Sequence, residues 1–422
     1  MSRLWGLAYN LIFFPAVIIA YVLTVFNRKV RRGLRGRRKT IPRARRFRER
    51  IIDSYGPLYW FHAASHGEFE QARPIIEGLK EVSPDTIIVV SFFSPSGYER
   101  CHHPDIDFKF YLPLDFPWSM NQLLRILKPH RVIFASYDIW PNLIWACQRQ
   151  GIPTVLFAAR VVPGSTKQWP LLKGFYRNIY RAMQAIYTVS EGDGERLQAI
   201  LGPDSGTRVK ILGNPRYDRV MERRKNNRSN GHNRDRTLVL GSVHAADEEV
   251  IEAPVIEMLR ADDRFRVFWA PHDPEPETVA GLGQRLSAAG IAWAPYGSNR
   301  GHFSGSQVLI VDGVGYLAEL YYRGAVAYVG GGFGSNVHNV MEPAMASVPV
   351  LFGPRYNRSD EAEQLLAAGG GAVVADSEAF SDRLAHYFSN HESREAGGAA
   401  ALQVIADNLG ASTRILQAII GD

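Results

Sequence analysis

Apolar runs of strand length recur along this chain with helix-length stretches between them, and that alternation narrows the fold more than any other feature. Strands are expected at Leu58–Ala64, Thr86–Phe93, Phe108–Leu114, Arg131–Tyr137, Thr154–Ala159, Ala185–Ser190 and Val209–Gly213. A second series is expected at Thr237–Ser242, Arg266–Pro271, Val308–Asp312, Ala325–Gly330, Val348–Phe352 and Ala372–Ala375. Between strands the spacing turns helical: Phe69, Ala72, Ile75, Ile76 and Leu79 fall on one face of a helix that follows the first strand. Alternation on this scale means βαβ units, and hence parallel sheets with helices on both faces. A length of 422 residues exceeds one ordinary core, so two such domains are expected.

The amino end differs from the body. Gly6–Phe26 carries no charge and is long enough to cross a bilayer as a helix, with Pro15 tolerable as a kink. Arg28–Arg50 follows, with thirteen basic residues and one acid, Glu49. A basic cluster after the apolar run argues for an anchor over a cleaved signal peptide, and it places the body in the cytoplasm. The segment suits attraction to anionic lipid, and it equally serves as a stop-transfer signal. The rest of the chain holds 36 basic and 41 acidic residues, so no basic face for nucleic acid is expected. Cys101 and Cys147 lie far apart, which fits a reducing compartment and offers no disulfide framework. The expected divisions are a transmembrane anchor (1–27), a polybasic segment (28–50), a first domain (51–221), a linker (222–236) that contains His232, and a second domain (237–422).

Ligands of open α/β sheets bind beyond the carboxyl ends of the strands. Glu68 stands there, at the mouth of the first strand-to-helix turn. It is a candidate general base, or a first-turn acid that only complements the helix dipole. Ser65, Ser94, Asp138 and Arg160 lie in turns on the same edge, where polar residues are also ordinary. In the second half, Gly330, Gly331, Gly332 and Gly334 follow a buried strand, and a short helix is expected near Asn339. Glycines permit close backbone approach and helix starts bind phosphate, so this is a candidate phosphate loop. Its spacing is not that of a dinucleotide fingerprint, and a glycine-rich turn without a ligand is the other reading. His272, Asp273 and His338 lack the paired spacing of a zinc site, so no metal is expected.

Ten short motifs in order resemble the Kdo (3-deoxy-D-manno-octulosonic acid) transferases. They are HAASHGE (His62–Glu68), SPSGYE (Ser94–Glu99), YLPLD (Tyr111–Asp115), DIWPN (Asp138–Asn142), AAR (Ala158–Arg160), GNPRYD (Gly213–Asp218), GS (Gly241–Ser242), PHDPE (Pro271–Glu275), DGVG (Asp312–Gly315) and GGGFG with HNVMEP (Gly330–Pro343). The resemblance implies a GT-B fold, two doubly wound Rossmann-like α/β domains facing a cleft, behind one transmembrane helix. It implies transfer of Kdo from CMP-Kdo to a lipid A precursor, lipid IVA, with inversion, at the cytoplasmic face of the inner membrane and without a cofactor. It places the proton acceptor at Glu68 and transition-state stabilisers at Asp138 and Arg216. It places CMP contacts at Pro271, His272, Val314, Gly315, Tyr316, Asn339, Val340, Met341 and Glu342; Ser242 is a further cleft candidate. The usual residues of the family are replaced at four of these places: Asp138 stands for Glu, Arg216 for Lys, His272 for Arg and Tyr316 for Glu. A UDP-sugar transferase of the same fold and a non-catalytic, membrane-tethered nucleotide-binding protein are the alternatives.

Overall fold

A computed structural model describes residues 2–23, 28–226, 234–299 and 301–421. The chain forms two compact units, residues 1–219 with 410–422, and residues 220–409. The first is built on strands β1 (Leu58–Ala63), β2 (Ile87–Phe92), β3 (Phe108–Tyr111), β4 (Arg131–Ala135), β5 (Thr154–Ala159), β6 (Ala185–Thr188) and β7 (Arg208–Ile211). Their order in the sheet is β3-β2-β1-β4-β5-β6-β7, and every adjacent pair is parallel. The unbroken apolar runs are explained by burial on both faces. Along β1, Leu58 and Trp60 enter one core while Tyr59, Phe61 and Ala63 enter the other.

The second unit repeats the plan with β8 (Thr237–Val243), β9 (Arg266–Pro271), β10 (Trp293–Pro295), β11 (Val308–Ile310), β12 (Val326–Val329), β13 (Val350–Phe352) and β14 (Gly371–Val373). Their order is β10-β11-β9-β8-β12-β13-β14, again parallel throughout. Only β10, three residues long, was absent from the expected strands. In each sheet the winding direction reverses beside the strand where the sheet begins: between β1 and β4, and between β8 and β12.

The amino end departs from expectation. Helix α1 (Ser2–Leu23) forms, but no helix among the described residues is long and apolar enough to cross a membrane. Instead α1 lies along the first unit. Trp5 packs edge-on against Phe175, Tyr9 donates from its hydroxyl to Asp115 Oδ2 at 3.1 Å, and Asn10 pairs with Asn142. The polar side chains inside the apolar run, Tyr9 and Asn10, thus serve to dock it. The opposite side is uncovered: Leu11 is 77% and Ile12 73% exposed. Residues 24–27, the end of the expected span, lie outside the described residues.

The basic segment is part of the first unit as well. Helices α2 (Arg28–Arg38) and α3 (Thr40–Arg50) pack on β3 through Phe47, stacked on Phe108 at 4.7 Å, and through Thr40, which donates to the Tyr111 carbonyl at 2.7 Å. Arg37 donates to the Leu112 and Phe93 carbonyls, and burial pulls its guanidinium down to about 10. The first domain therefore starts well before residue 51.

The far end is corrected too. Helix Ala411–Gly421 belongs to the first unit, not the second. Asp218 accepts from Gly410 N and Ser412 N, both at 2.6 Å, and holds the start of that helix. Residues 222–226 of the expected linker complete helix Arg216–Asn226, and His232 lies outside the described residues.

Asp115 ties α1 to the sheet. It is wholly buried and accepts from Asn142 N at 2.9 Å, Leu143 N at 3.1 Å and Tyr9. Desolvation outweighs those bonds and raises its carboxyl to about 7. A carboxyl raised above its unfolded value contributes stability that is complete below pH 4 and is lost as pH rises to about 7. Chemical denaturation of Asp115→Asn and the native chain between pH 4 and 8 tests this. The difference should move in favour of the variant by a few kcal/mol as pH rises to 7, then level off. A pH-independent difference would contradict it.

Candidate functional site

The reversal between β1 and β4 places the loops after both strands at the crevice where open sheets bind ligands. The loop after β1 enters helix α4 (His66–Val82) with Ser65 as its N-cap. Glu68, 7% exposed, closes a capping box: its Oε2 accepts from Ser65 N at 2.9 Å and from the Ser65 hydroxyl. The first-turn role considered from sequence is therefore real, and it fixes where the carboxylate points.

The loop after β4 carries Ser136, Tyr137 and Asp138. Ser136 holds a left-handed backbone at φ 63, a conformation that non-glycine residues adopt at a cost. Its hydroxyl donates to Gln71 Oε1 of α4 at 2.7 Å, which joins the two loops. Tyr137 reports what stands around it. Burial raises its phenol first, the Glu68 carboxylate raises it further, Arg216 opposes, and Asp138 adds to the rise. The structure thus brings Glu68, Asp138 and Arg216 into one neighbourhood.

Asp138 is oriented from behind by a chain of buried donors. Trp60 Nε1 donates to Ser91 Oγ at 2.7 Å, and Ser91 Oγ lies 2.8 Å from His62 Nδ1. With the indole proton on that oxygen, the hydroxyl hydrogen turns to Nδ1, and the network assigns the His62 proton to Nε2. His62 Nε2 then donates to Asp138 Oδ2 at 2.9 Å, and Trp140 Nε1, 3.0 Å from that same His62 nitrogen, directs its proton to the Asp138 oxygen at 3.2 Å. His62 has no exposed side chain, whereas Asp138 retains 25% exposure. His62, Ser91, Tyr137 and Trp140 carried no assigned role from sequence. His62 and Ser91 follow the two-residue strand period on neighbouring strands, but which strands pair is not written in it. Ser94, by contrast, is the N-cap of helix Pro95–Arg100, and Arg160 sits half-buried at the end of β5.

In the second unit the glycine-rich loop follows β12. Its glycines are required by backbone packing: a Cβ on Gly330 would collide with the Ser242 carbonyl, and one on Gly332 would stand 2.6 Å from Gly353 N. Buried Asp247 occupies part of the loop's donor set. It accepts from Gly331 N at 2.8 Å and from the Tyr328 hydroxyl at 2.8 Å, and lies 3.4 Å from Phe333 N. The helix expected near Asn339 is only Met341–Met345, too short for an appreciable dipole at its start. Val340 and Met341 are buried and offer their backbone alone, while Asn339 is exposed.

Val314, Gly315 and Tyr316 form an exposed turn, with Tyr316 against Tyr296 at 5.1 Å. Ser242, at φ 54, sits where β8 slips register against β9. Pro271 is buried at the end of β9 and His272 is exposed. His272 stacks with His244 and His338, which come from the ends of β8 and β12. Burial, and then the neighbouring imidazoles His272 and His244, push His338 down to about 4; burial likewise lowers His244. His244 and Asp247 were not singled out from sequence, because strand order alone brings them to the loop.

Residues 35–219 match the family described as 3-deoxy-D-manno-octulosonic-acid transferase (kdotransferase). The 3-deoxy-D-manno-octulosonic acid transferase of Chlamydophila psittaci is 31% identical over 342 residues, 78% of this chain and 77% of that one. The enzyme of the same name from Haemophilus influenzae is 26% identical over 392 residues, 88% and 91% of the two chains. Among solved structures, UDP-GlcNAc 2-epimerase from Neisseria meningitidis bound to UDP-GlcNAc superposes with a TM-score of 0.62 at 15% identity, covering 87% of this chain and 100% of that one. Acinetobacter baumannii MurG gives 0.54 at 14% identity, with 87% and 100% covered. Those two likenesses concern the fold alone, a pair of parallel-sheet α/β domains of GT-B kind. Sequence and architecture agree: the chain belongs to the 3-deoxy-D-manno-octulosonic acid (Kdo) transferases, a family of glycosyltransferases.

Proposed function

We propose that this Kdo transferase moves Kdo from CMP-Kdo to the lipid A precursor lipid IVA in lipopolysaccharide biosynthesis, with inversion at the anomeric carbon. The observation that carries the reading is a buried carboxylate, Glu68, at the winding reversal of the first sheet, with Asp138 and Arg216 around it. Both Ser65 bonds fall on Glu68 Oε2 and the Tyr137 hydroxyl also donates to this carboxylate, so the acceptor proton is assigned to the lone pair these donors leave. As that proton leaves, the acceptor oxygen attacks the anomeric carbon and CMP departs with the bonding pair. Positive charge develops at the carbon and negative charge on the departing phosphate. Asp138, held by His62 and Trp140, suits the first, and the guanidinium of Arg216 suits the second. The donor contacts carried by side chains are assigned to His272, Val314, Tyr316, Asn339 and Glu342. Pro271, Gly315, Val340 and Met341 contribute shape and backbone. The transfer as drawn uses no metal.

The supported mode of membrane contact is docking in the plane of the cytoplasmic leaflet of the inner membrane. One side of α1 is taken by the protein and the other presents Leu4, Leu7, Leu11, Ile12 and Ile18 to solvent. The basic helices α2 and α3 follow directly, as attraction to anionic lipid requires.

Purified protein given CMP-Kdo and a tetraacylated lipid A precursor should yield a product heavier by Kdo in mass spectrometry. A UDP-sugar donor is the second reading, since a solved neighbour of like fold is named for UDP-GlcNAc. Transfer from UDP-sugars and none from CMP-Kdo would establish it in place of the first. Glu68→Gln should lower kcat by about 10²–10⁴-fold with CMP affinity unchanged, the range of a lost general base; an unchanged kcat would remove Glu68 from that role. Leu11→Asp with Ile18→Asp should weaken binding to anionic vesicles in sedimentation by about a hundredfold or more, the effect of removing two buried aliphatic side chains at about 1.5–3 kcal/mol each. Binding that is indifferent to both changes would place the membrane contact elsewhere.

A further inference from the structure

Three imidazoles converge at the winding reversal of the second sheet, and the transfer described above makes use of only one. His244 leaves β8, His272 leaves β9, and His338 closes the loop after β12. Their rings lie nearly parallel: His244 and His272 have centroids 4.1 Å apart, His272 and His338 4.6 Å, and His244 and His338 5.0 Å. One ring nitrogen from each lies within 4.8 Å of the other two, and His244 Nε2 is 2.7 Å from His338 Nε2. A 2.7 Å contact between two ring nitrogens is an N–H···N hydrogen bond, in which one imidazole donates to the other's lone pair, so His244 Nε2 and His338 Nε2 are turned toward a common point.

We propose that His244, His272 and His338 form a site for a single divalent transition-metal ion of the zinc class. At metal–nitrogen distances of about 2.0–2.1 Å in tetrahedral geometry, ligand nitrogens stand about 3.3 Å apart. The His244–His338 pair, at 2.7 Å, stands closer than that, so an ion requires these two rings to part by about 0.6 Å and exposed His272 to turn from its stacked position toward them. The carboxylates that face the cluster are Asp247 and Asp273. Asp247 accepts from His244 N at 2.9 Å and from Gly331 N, so it steadies two of the three ligand loops and supplies negative charge behind them. Three protein nitrogens leave a fourth position for water or an anionic oxygen, the open arrangement of a non-structural zinc site. The ion would join the ends of β8, β9 and β12, whose residues are otherwise far apart in sequence. No ligand spacing marks this site because each histidine comes from a different strand end.

Cobalt(II) titration of the untagged full chain tests the site without reference to transfer. One equivalent should bind with the strong visible absorption of tetrahedral cobalt, zinc should displace it, and zinc should raise the melting temperature by mass action. His272→Ala, an exposed change that leaves the apo-protein melting temperature in place, should weaken binding by more than the ~10–100-fold typical of losing an outer-shell partner. His338→Ala should do the same. Absence of a tetrahedral cobalt spectrum, or a spectrum and affinity that survive both substitutions, would overturn the assignment. Either result leaves the donor and acceptor reading to its own assay.

Discussion

Parallel pairing is the constraint on which everything else here rests. Strands that all run one way cannot be joined by hairpins, so each must be followed by a crossover that covers a face of the sheet. Both faces are therefore buried, and every strand delivers its last residues to one edge. Where the winding reverses, two neighbouring crossovers leave toward opposite faces and a crevice remains. Glu68 and Asp138 occupy that position in the first unit, and the three histidines occupy it in the second. The strained residues Ser136 and Ser242 stand at the same places.

Much of this was legible from the residues. Continuous apolar runs such as Leu58–Ala63 and Ile87–Phe92 announce strands covered on both sides, and eleven others lie at or near their expected places, short β10 being the exception. What escaped is what depends on pairing order. His62 acquires its role only when β1 lies between β2 and β4, which sets Ser91 on one side and Asp138 on the other. Asp247 looks like an ordinary first-turn acid until β8 and β12 become neighbours. At the amino end hydropathy tells half the story, because an apolar run records only that a helix avoids water. Tyr9 and Asn10 were the signal that one side of it faces protein.

The capping interaction at Glu68 shows that the two readings of one acid are compatible. A carboxylate free to rotate on a helix would sample many directions. Ser65 and Tyr137 remove that freedom, while burial keeps bulk water from competing for the carboxylate. The glycine-rich loop makes the opposite point. Its resemblance to a phosphate cradle is genuine in composition, yet Asp247 already takes the Gly331 N–H, so part of its donor set is used within the protein.

The return of helix Ala411–Gly421 to the first unit makes the second unit an insertion within the first, not a successor to it. The polypeptide leaves the first unit near Arg219 and re-enters it at Gly410, fastened by Asp218 on the outgoing side. Residues 220–409 thus form a contiguous cassette, whereas the first unit exists as one piece only if its two segments are brought together. Recombination between relatives that exchanges the cassette would keep the host scaffold whole. A single crossover near residue 220 would instead furnish a scaffold whose closing helix came from another lineage. Contacts such as Arg131 with the Ile419 carbonyl would then have to survive between sequences that did not evolve together.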